Sequence, residues 1–222
     1  MEISPDLVVQ KPNRLPSSAF WKVPYRLFEI VTATAILLFT LPIMAVVALV
    51  IKLGTPGKVL FFQERVGKGR KTFRFVKFRT MHADARQRFP ELYRYAYDDA
   101  EIETLVFKIK NDPRLTPQGR WLRKTSLDEL PNFWNVLTGD MALGGPRPEI
   151  PEMLPYYKDE MLEKFLVRPG ITGPAQVSGR GNLSFQETVR LDVQYVRQRS
   201  PQMDFKILLR SAKCVVKAAG AF

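Results

Sequence analysis

From Ile30 to Ile51 the chain carries only apolar side chains apart from Thr32, Thr34, Thr40 and Pro42, and no charge interrupts it. At about 1.5 Å of rise per residue, a helix of this length can cross the hydrocarbon core of a bilayer. Cations stand on both sides, with Lys11, Arg14, Lys22 and Arg26 before the run and Lys52, Lys58, Arg65, Lys68, Arg70 and Lys71 after it. Since cationic flanks are retained in the cytoplasm, both ends are assigned to one face of the membrane. Pro42 sits inside the run, where it removes a backbone donor and clashes with the preceding turn. Residues 25–53 are therefore predicted as a re-entrant helix-break-helix that turns at Pro42. An ordinary tilted, kinked transmembrane helix is the competing reading, because such helices tolerate proline. A cleaved signal peptide fits poorly, since the run is too long and no small-residue cleavage pattern follows it. Residues 1–24, with Pro5, Pro12, Pro16 and Pro24, are predicted as a loosely ordered arm.

After the apolar run the period changes. Thr72 to Arg79 alternates apolar and polar residues, which predicts a strand with one buried and one basic face, and Gly67 and Gly69 supply the turn before it. Residues 83–106 read as a charge-rich helical insertion ended by a short apolar strand, and Pro151 to Phe165 as a helix stopped by Arg168-Pro169-Gly170. In the tail, Phe205, Leu208, Leu209, Ala212, Val216 and Ala219 fall on one helical stripe, with Lys206, Arg210, Lys213 and Lys217 opposite. Such a helix can lie in the membrane interface or pack its stripe on the domain.

The chain has 222 residues and a formal net charge of +12, with 45% hydrophobic residues. That suits one compact domain with appendages and excludes a disordered basic tail. The charge calls for an acidic partner, and nucleic acid, an anionic membrane surface and phosphorylated substrates satisfy it equally. A single cysteine, Cys214, excludes an internal disulfide, and a single histidine, His82, excludes a His-rich metal site. A metal here would be a hard cation on carboxylate and phosphate oxygens, with magnesium the leading candidate. Between Lys58 and Arg79 eight basic residues and one acidic residue interleave with Phe61, Phe62, Phe73, Phe75 and Phe78. Basic and aromatic residues together also make a platform for single-stranded nucleic acid, whereas a half-buried strand facing lipid headgroups explains them equally well.

Candidate chemistry concentrates between Trp121 and Pro148. Ser126-Leu127-Asp128-Glu129 matches a capping box, with Ser126 as N-cap and Glu129 at the third helical position. The same four residues place Asp128 and Glu129 at a helix start that attracts phosphate, with Arg123 and Lys124 just upstream. An aspartate facing a diphosphate needs a cation between them, which makes Asp128 the candidate magnesium ligand. Arg147 stands between Pro146 and Pro148, which limit its backbone and present a guanidinium suited to phosphate oxygens. Read alone, the segment is a plain turn. Arg168 to Gly173 and Gly179-Arg180-Gly181 are further turns whose backbone suits a phosphate or nucleotide.

Taken in order, Gln63 to Gly67, Lys77 to Met81, Asn111 to Thr116, Arg123 to Leu130, Trp134 to Asp140, Gly145 to Pro148, Arg168 to Gly173 and Leu191 to Tyr195 resemble the small monotopic phosphoglycosyl transferases of the bacterial sugar transferase family. The resemblance covers nearly everything from about residue 25 onward. It implies a helix-rich α/β monotopic membrane protein, with the re-entrant helix broken at Pro42 and amphipathic helices at the interface. Residues 54–222 then form a catalytic domain on the cytoplasmic face of the bacterial inner membrane. It further implies a dyad in which Asp128 attacks the sugar-bearing phosphate of a UDP-sugar, expelling UMP, before polyprenyl (undecaprenyl) phosphate takes the phosphosugar. Glu129 would support proton handling or magnesium. Arg147 matches the phosphate-binding arginine of the family, while Lys77, Arg79, Arg123, Asp192 and Arg168 match polar positions assigned to the same site. Two positions depart from the pattern: Leu41 precedes the proline where a small hydroxyl residue is frequent, and Gln198-Arg199-Ser200 lacks an aromatic residue before the serine.

The implied partners are a UDP-sugar, polyprenyl phosphate and membrane phospholipids; a homodimer stays open, and no nucleic acid is expected. A membrane-anchored nucleic-acid-binding protein explains the charge but leaves the carboxylate pair unexplained. A silent scaffold for glycan assembly leaves the intact dyad without a purpose.

Overall fold

The computed structural model describes residues 19–179 and 182–216. Residues 1–18 of the arm predicted over 1–24, Arg180 and Gly181, and the end of the tail stripe at Lys217 and Ala219 lie outside the described residues, while 19–24 are helical. The element α1, Ala19–Gly54, is a single helix of 36 residues that contains both Pro24 and Pro42. It starts earlier than expected and continues through Pro24, the sixth residue, at the loss of one backbone hydrogen bond in the second turn. The two separate helices expected around Pro42 are one continuous element. Just before that proline, Thr40 Oγ1 donates to the Ile36 carbonyl at 2.7 Å, a back-bond that bends helices without ending them.

The helix meets the rest of the protein near both ends and leaves its middle bare. Glu29 and Ala33 are fully buried and Val47 and Ile51 nearly so, whereas Leu38, Phe39 and Leu41 are 67%, 84% and 60% exposed. At the first end the ties are polar. Arg26 donates to the Leu137 carbonyl at 3.0 Å, Arg168 pairs with Glu29 at 2.6 Å, and Tyr25 donates to Asp204 at 2.6 Å. At the other end they are apolar, with Val47 and Ile51 packed on Phe78 and Leu122.

The helix delivers the chain to an antiparallel hairpin, β1 (Leu60–Val66) and β2 (Thr72–Phe78), in register from Leu60 opposite Phe78 to Val66 opposite Thr72. Gly69 turns it with φ 67°. The predicted strand is thus present. Its free edge is closed by Asn135, whose side chain accepts from Val76 N at 3.2 Å and donates to the Arg74 carbonyl at 2.9 Å. Asn135 belongs to α5 (Phe133–Thr138), which follows α4 (Pro117–Thr125). Thr116 caps α4 by accepting from Gly119 N at 2.9 Å. Gly119 lets α4 press on the end of β2, since a Cβ there would come within 1.8 Å of the Thr80 carbonyl oxygen.

The remaining strands, β3 (Ala142–Gly144) and β4 (Gly170–Thr172), pair in parallel as a separate small sheet. Between β2 and α4 the insertion forms short helices α2 (Ala85–Arg88) and α3 (Asp99–Thr104), and the apolar strand expected after α3 does not form. The helix expected over Pro151 to Phe165 is two 3-10 pieces, Pro151–Tyr156 and Asp159–Leu166. Pro155 explains the first, because its missing N–H denies the α pattern a donor. After α6 (Pro174–Gly179) come α7 (Phe185–Gln198), capped by Ser184 and Glu187, and α8 (Pro201–Val216). The stripe of α8 is divided: Leu208 packs inward beside buried Ile207, while Phe205 and Leu209 stay 58% and 48% exposed. The fold is therefore a helix-rich α/β domain carrying one long apolar helix.

Candidate active site

The last turn of α4 carries Arg123, whose Nε donates to Thr80 Oγ1 at 3.2 Å. The chain then reverses at Ser126, which adopts a left-handed conformation with φ 58° and stands both at the end of α4 and, as expected, at the N-cap of the next helix. The expected capping box is absent: the Ser126 side chain caps nothing, and Glu129 N bonds to the Ser126 carbonyl at 3.3 Å. A non-glycine residue held in this region stores roughly 1–3 kcal/mol of strain, a cost tolerated mainly near functional groups. The reversal launches the 3-10 helix Leu127–Asn132 across β2, with Asp128 buried at 5% exposure and Glu129 partly open.

Around Asp128 gather Lys77 from β2, Arg123 from α4 and Arg147 from the turn after β3, all of which act on its charge. Burial and the adjacent Glu129 nonetheless raise the Asp128 pKa above the ordinary carboxylate value, against the pull of the three cations. Burial also lowers the pKa of Lys77 to about 8, and Asp128 offsets only part of that shift. Arg147 is exposed between buried Pro146 and Pro148, and its Nη1 reaches Glu129 Oε1 at 3.4 Å. That pair is open to water and worth little, so an incoming phosphate can replace it.

A fourth cation escaped sequence reading. Arg65 of β1 is half-buried, donates from Nη1 to the Pro148 carbonyl at 3.2 Å, and keeps Nε buried without a partner. Its guanidinium lies 5.5 Å from the Phe75 ring centroid, and burial followed by the nearby Arg147 lowers its pKa to about 10. The available signal was alternation, since Arg65 and Lys77 share one face of the hairpin. Three cations thus act on Asp128, and Arg65 adds positive charge beside Lys77 and Arg147, a surplus that an anionic ligand completes.

Residues 20–218 match the sequence profile of the family described as bacterial sugar transferase. The chain belongs to that family. It is 40% identical over 210 residues to the undecaprenyl-phosphate galactose phosphotransferase of Salmonella typhimurium, covering 93% of this chain and 42% of the relative. Against the UDP-galactose-lipid carrier transferase of Erwinia amylovora the identity is 37% over 218 residues, 97% of this chain and 45% of the relative. Exopolysaccharide production protein ExoY of Rhizobium meliloti is 34% identical over 197 residues, 89% of this chain and 87% of that protein. The first two are longer proteins, of which this chain spans less than half.

Three positions that the family resemblance assigned to the site lie elsewhere. Arg79 is buried and ties the end of α1 by donating to the Thr55 carbonyl at 3.0 Å and the Lys58 carbonyl at 2.6 Å. Arg168 is taken up by Glu29 of α1 and by the Met141 carbonyl. Asp192 is fully buried on α7 and pairs with Lys164 at 3.2 Å. All three carry charge on a polar stretch of sequence, and only the tertiary contacts separate them from Lys77, Arg123 and Arg147.

No group of three or more His, Cys, Asp or Glu side chains suited to a metal occurs among the described residues. Asp128 and Glu129 offer two neighbouring carboxylates; burial first, and then the adjacent Glu129, disfavour the Asp128 charge, which a bound cation would offset. Magnesium is commonly held by one or two carboxylates together with substrate phosphates, so the dyad fits such an ion bound with its substrate.

Proposed function

We propose that this chain transfers a sugar 1-phosphate from a UDP-sugar to polyprenyl phosphate at the cytoplasmic face of the bacterial inner membrane. The observation that carries the reading is the buried Asp128 beside Glu129, under the charge of Lys77, Arg123 and Arg147, with Arg65 next to the last of these. Cations and a carboxylate in one recess are what a carboxylate nucleophile needs to approach an anionic phosphate. The printed names of the relatives, which include a UDP-glucose:undecaprenyl-phosphate glucose-1-phosphate transferase of Escherichia coli, support the substrate classes.

In the first step an Asp128 oxygen forms a bond to the sugar-bearing phosphorus while the bond from that phosphorus to the UMP oxygen breaks, so UMP departs with the electron pair. An oxygen of polyprenyl phosphate then attacks the same phosphorus and frees the Asp128 carboxylate, giving polyprenyl-diphosphate-sugar. Arg147 would leave Glu129 to grip the donor phosphate, Lys77 and Arg123 would keep Asp128 ionised, and Glu129 would support the proton or ion balance. Magnesium, held by Asp128 and Glu129, would supply charge neutralisation between carboxylate and diphosphate.

The re-entrant membrane insertion is part of the same proposal. It is supported by the two tethered ends of α1 and by its bare apolar middle at Leu38, Phe39 and Leu41. Exposed Phe205 and Leu209 on α8 suit a helix resting on the lipid surface. The basic hairpin is a poor platform for single-stranded nucleic acid, because Arg74 already stacks 3.9 Å from the Phe62 ring centroid and Lys77 lies 5.7 Å from that of Phe61.

The decisive experiment incubates detergent-solubilised protein with magnesium, polyprenyl phosphate and a panel of UDP-sugars. Release of UMP is expected; release of UDP would mean simple glycosyl transfer, and silence across the panel would favour a scaffold. For the insertion, Leu15→Cys and Lys58→Cys, each in a Cys214→Ser background, should both resist an impermeant thiol reagent on intact spheroplasts. Labelling at position 15 alone would establish a spanning helix.

A further inference from the structure

Arg147 is exposed, yet the backbone around it is held on every side. Gly145 N donates to the Thr172 carbonyl at 2.9 Å, Pro146 accepts from Gly170 N at 2.9 Å, and Glu149 accepts from Val66 N at 2.7 Å. On Pro148 the carbonyl takes a guanidinium bond from Arg65 at 3.2 Å. Behind this turn lies a charged network that the proposed chemistry does not use. Lys164, 4% exposed, approaches Asp192 at 3.2 Å and Glu149 at 3.4 Å and donates to Tyr157 Oη at 2.9 Å. Tyr157 in turn donates to Glu149 Oε2 at 2.7 Å, while Glu149 Oε1 accepts from Ile150 N at 3.0 Å. Arg147 and Lys164 line the same small cavity, with Val66, Pro146 and Phe165 between them.

We propose that Glu149, Tyr157, Lys164 and Asp192 are positioning residues for Arg147, forming one buried network that fixes the turn from which its guanidinium meets the donor diphosphate. The network touches neither dyad carboxylate. Glu149 is two residues beyond Arg147, and three of its groups are pinned: the carbonyl by β1 and the two carboxylate oxygens by Ile150, Tyr157 and Lys164. Asp192 holds Lys164 from α7 and also stands within reach of the Arg147 charge, which gives a buried aspartate outside the dyad a place in the same network. Nothing so elaborate is needed to anchor a solvated turn. The inference rests on reading Arg147 as a phosphate ligand.

Tyr157→Phe removes only the hydroxyl and keeps the ring contacts to Phe165 and Phe185, whose centroids lie 5.0 and 5.1 Å away. Glu149→Gln is similarly conservative. Calorimetric titration with UDP and magnesium is expected to show each variant binding about threefold to tenfold more weakly, the scale of one lost hydrogen bond. Combined with Arg147→Lys, each double variant should bind within about twofold of Arg147→Lys alone, because the second change acts through the first. A merely structural role predicts the opposite, with independent losses that multiply. Multiplying losses, or wild-type affinity in both single variants, would overturn the proposal. Coupled UDP binding in a protein that releases no UMP would sink the transferase reading while leaving the network's role intact.

Discussion

Lys77 and Lys164 are both withdrawn from water, and their surroundings push them in opposite directions. Burial lowers Lys77 to about 8, and the further cations Arg123, Arg147 and Arg65 add to that shift. Lys164 is raised well above the ordinary lysine value, since Tyr157, Asp192 and Glu149 outweigh the cost of burial. One lysine is held in a place that disfavours its charge, and the other in a place built around it. A structural ion cluster satisfies itself, whereas a binding site keeps its charges in surplus until the ligand arrives. The two aspartates do not repeat the contrast, because burial raises both, Asp192 to about 6 in spite of Lys164 and Asp128 in spite of Lys77, Arg123 and Arg147.

Changes at the two clusters should therefore fail in different ways. Asp128→Asn should fold normally and lose activity by a factor on the order of 10⁴ or more, as removals of a nucleophile do. Its raised pKa means that the ionised form weakens the fold above the unfolded-state value and that this cost is relieved as pH falls, so the neutral variant should melt no lower than wild type. Mass spectrometry of wild-type protein given its donor alone should show one phosphosugar on the peptide containing Asp128. An adduct on another residue would end the assignment. Lys164→Met should do the reverse, costing about 3–5 kcal/mol of stability in denaturant titrations because two carboxylates are left buried without their cation. Were it as stable as Lys77→Met, the two lysines would not differ as described.

Arg147→Lys should keep the fold and cost about 1.5–3 kcal/mol in kcat/KM, since lysine retains the charge and lacks the two-pronged donor. The smallest expected effect concerns pH. The acid limb of kcat/KM should lie above the ordinary carboxylate range, because Asp128 must be ionised to attack and its pKa is raised. Lys77→Met should move that limb upward by about one unit, through loss of a cation beside the carboxylate. Because Lys77 is lowered to about 8, its charge weakens the fold below that pH, so the same variant should not lose stability at neutral pH. A limb that stays in place would remove Lys77 from the neighbourhood of Asp128.

The unbroken apolar run made α1 readable, alternation β2, and a helical stripe α8, whereas α7 went unread although Ser184 and Glu187 form a capping box at its start. The dyad and Arg147 were readable as a constellation. Ser126 was read correctly as an N-cap position but not as the end of α4 as well, and its φ of 58°, with no side-chain cap bond, is invisible in the four-residue pattern. The 3-10 pieces after Ile150 escaped because their hydrophobic spacing matches an α-helix over so short a stretch. Arg79, Arg168 and Asp192 share the chemistry of site residues, and their partners Thr55, Glu29 and Lys164 are distant in sequence or invisible to a pattern. Arg65 was hidden in the opposite sense, as one more cation in a basic hairpin.

Both ends of α1 are fastened to the body that carries Asp128, by Tyr25, Arg26 and Glu29 at one end and by Val47, Ile51 and the Arg79 bond to Thr55 at the other. Helix and catalytic recess cannot be raised or lowered independently. How deeply the apolar middle sinks into its surroundings and how high Asp128 stands above them become a single mechanical variable. Loosening one end, as Glu29→Gln would at the Arg168 pair, converts a fixed height into a hinge.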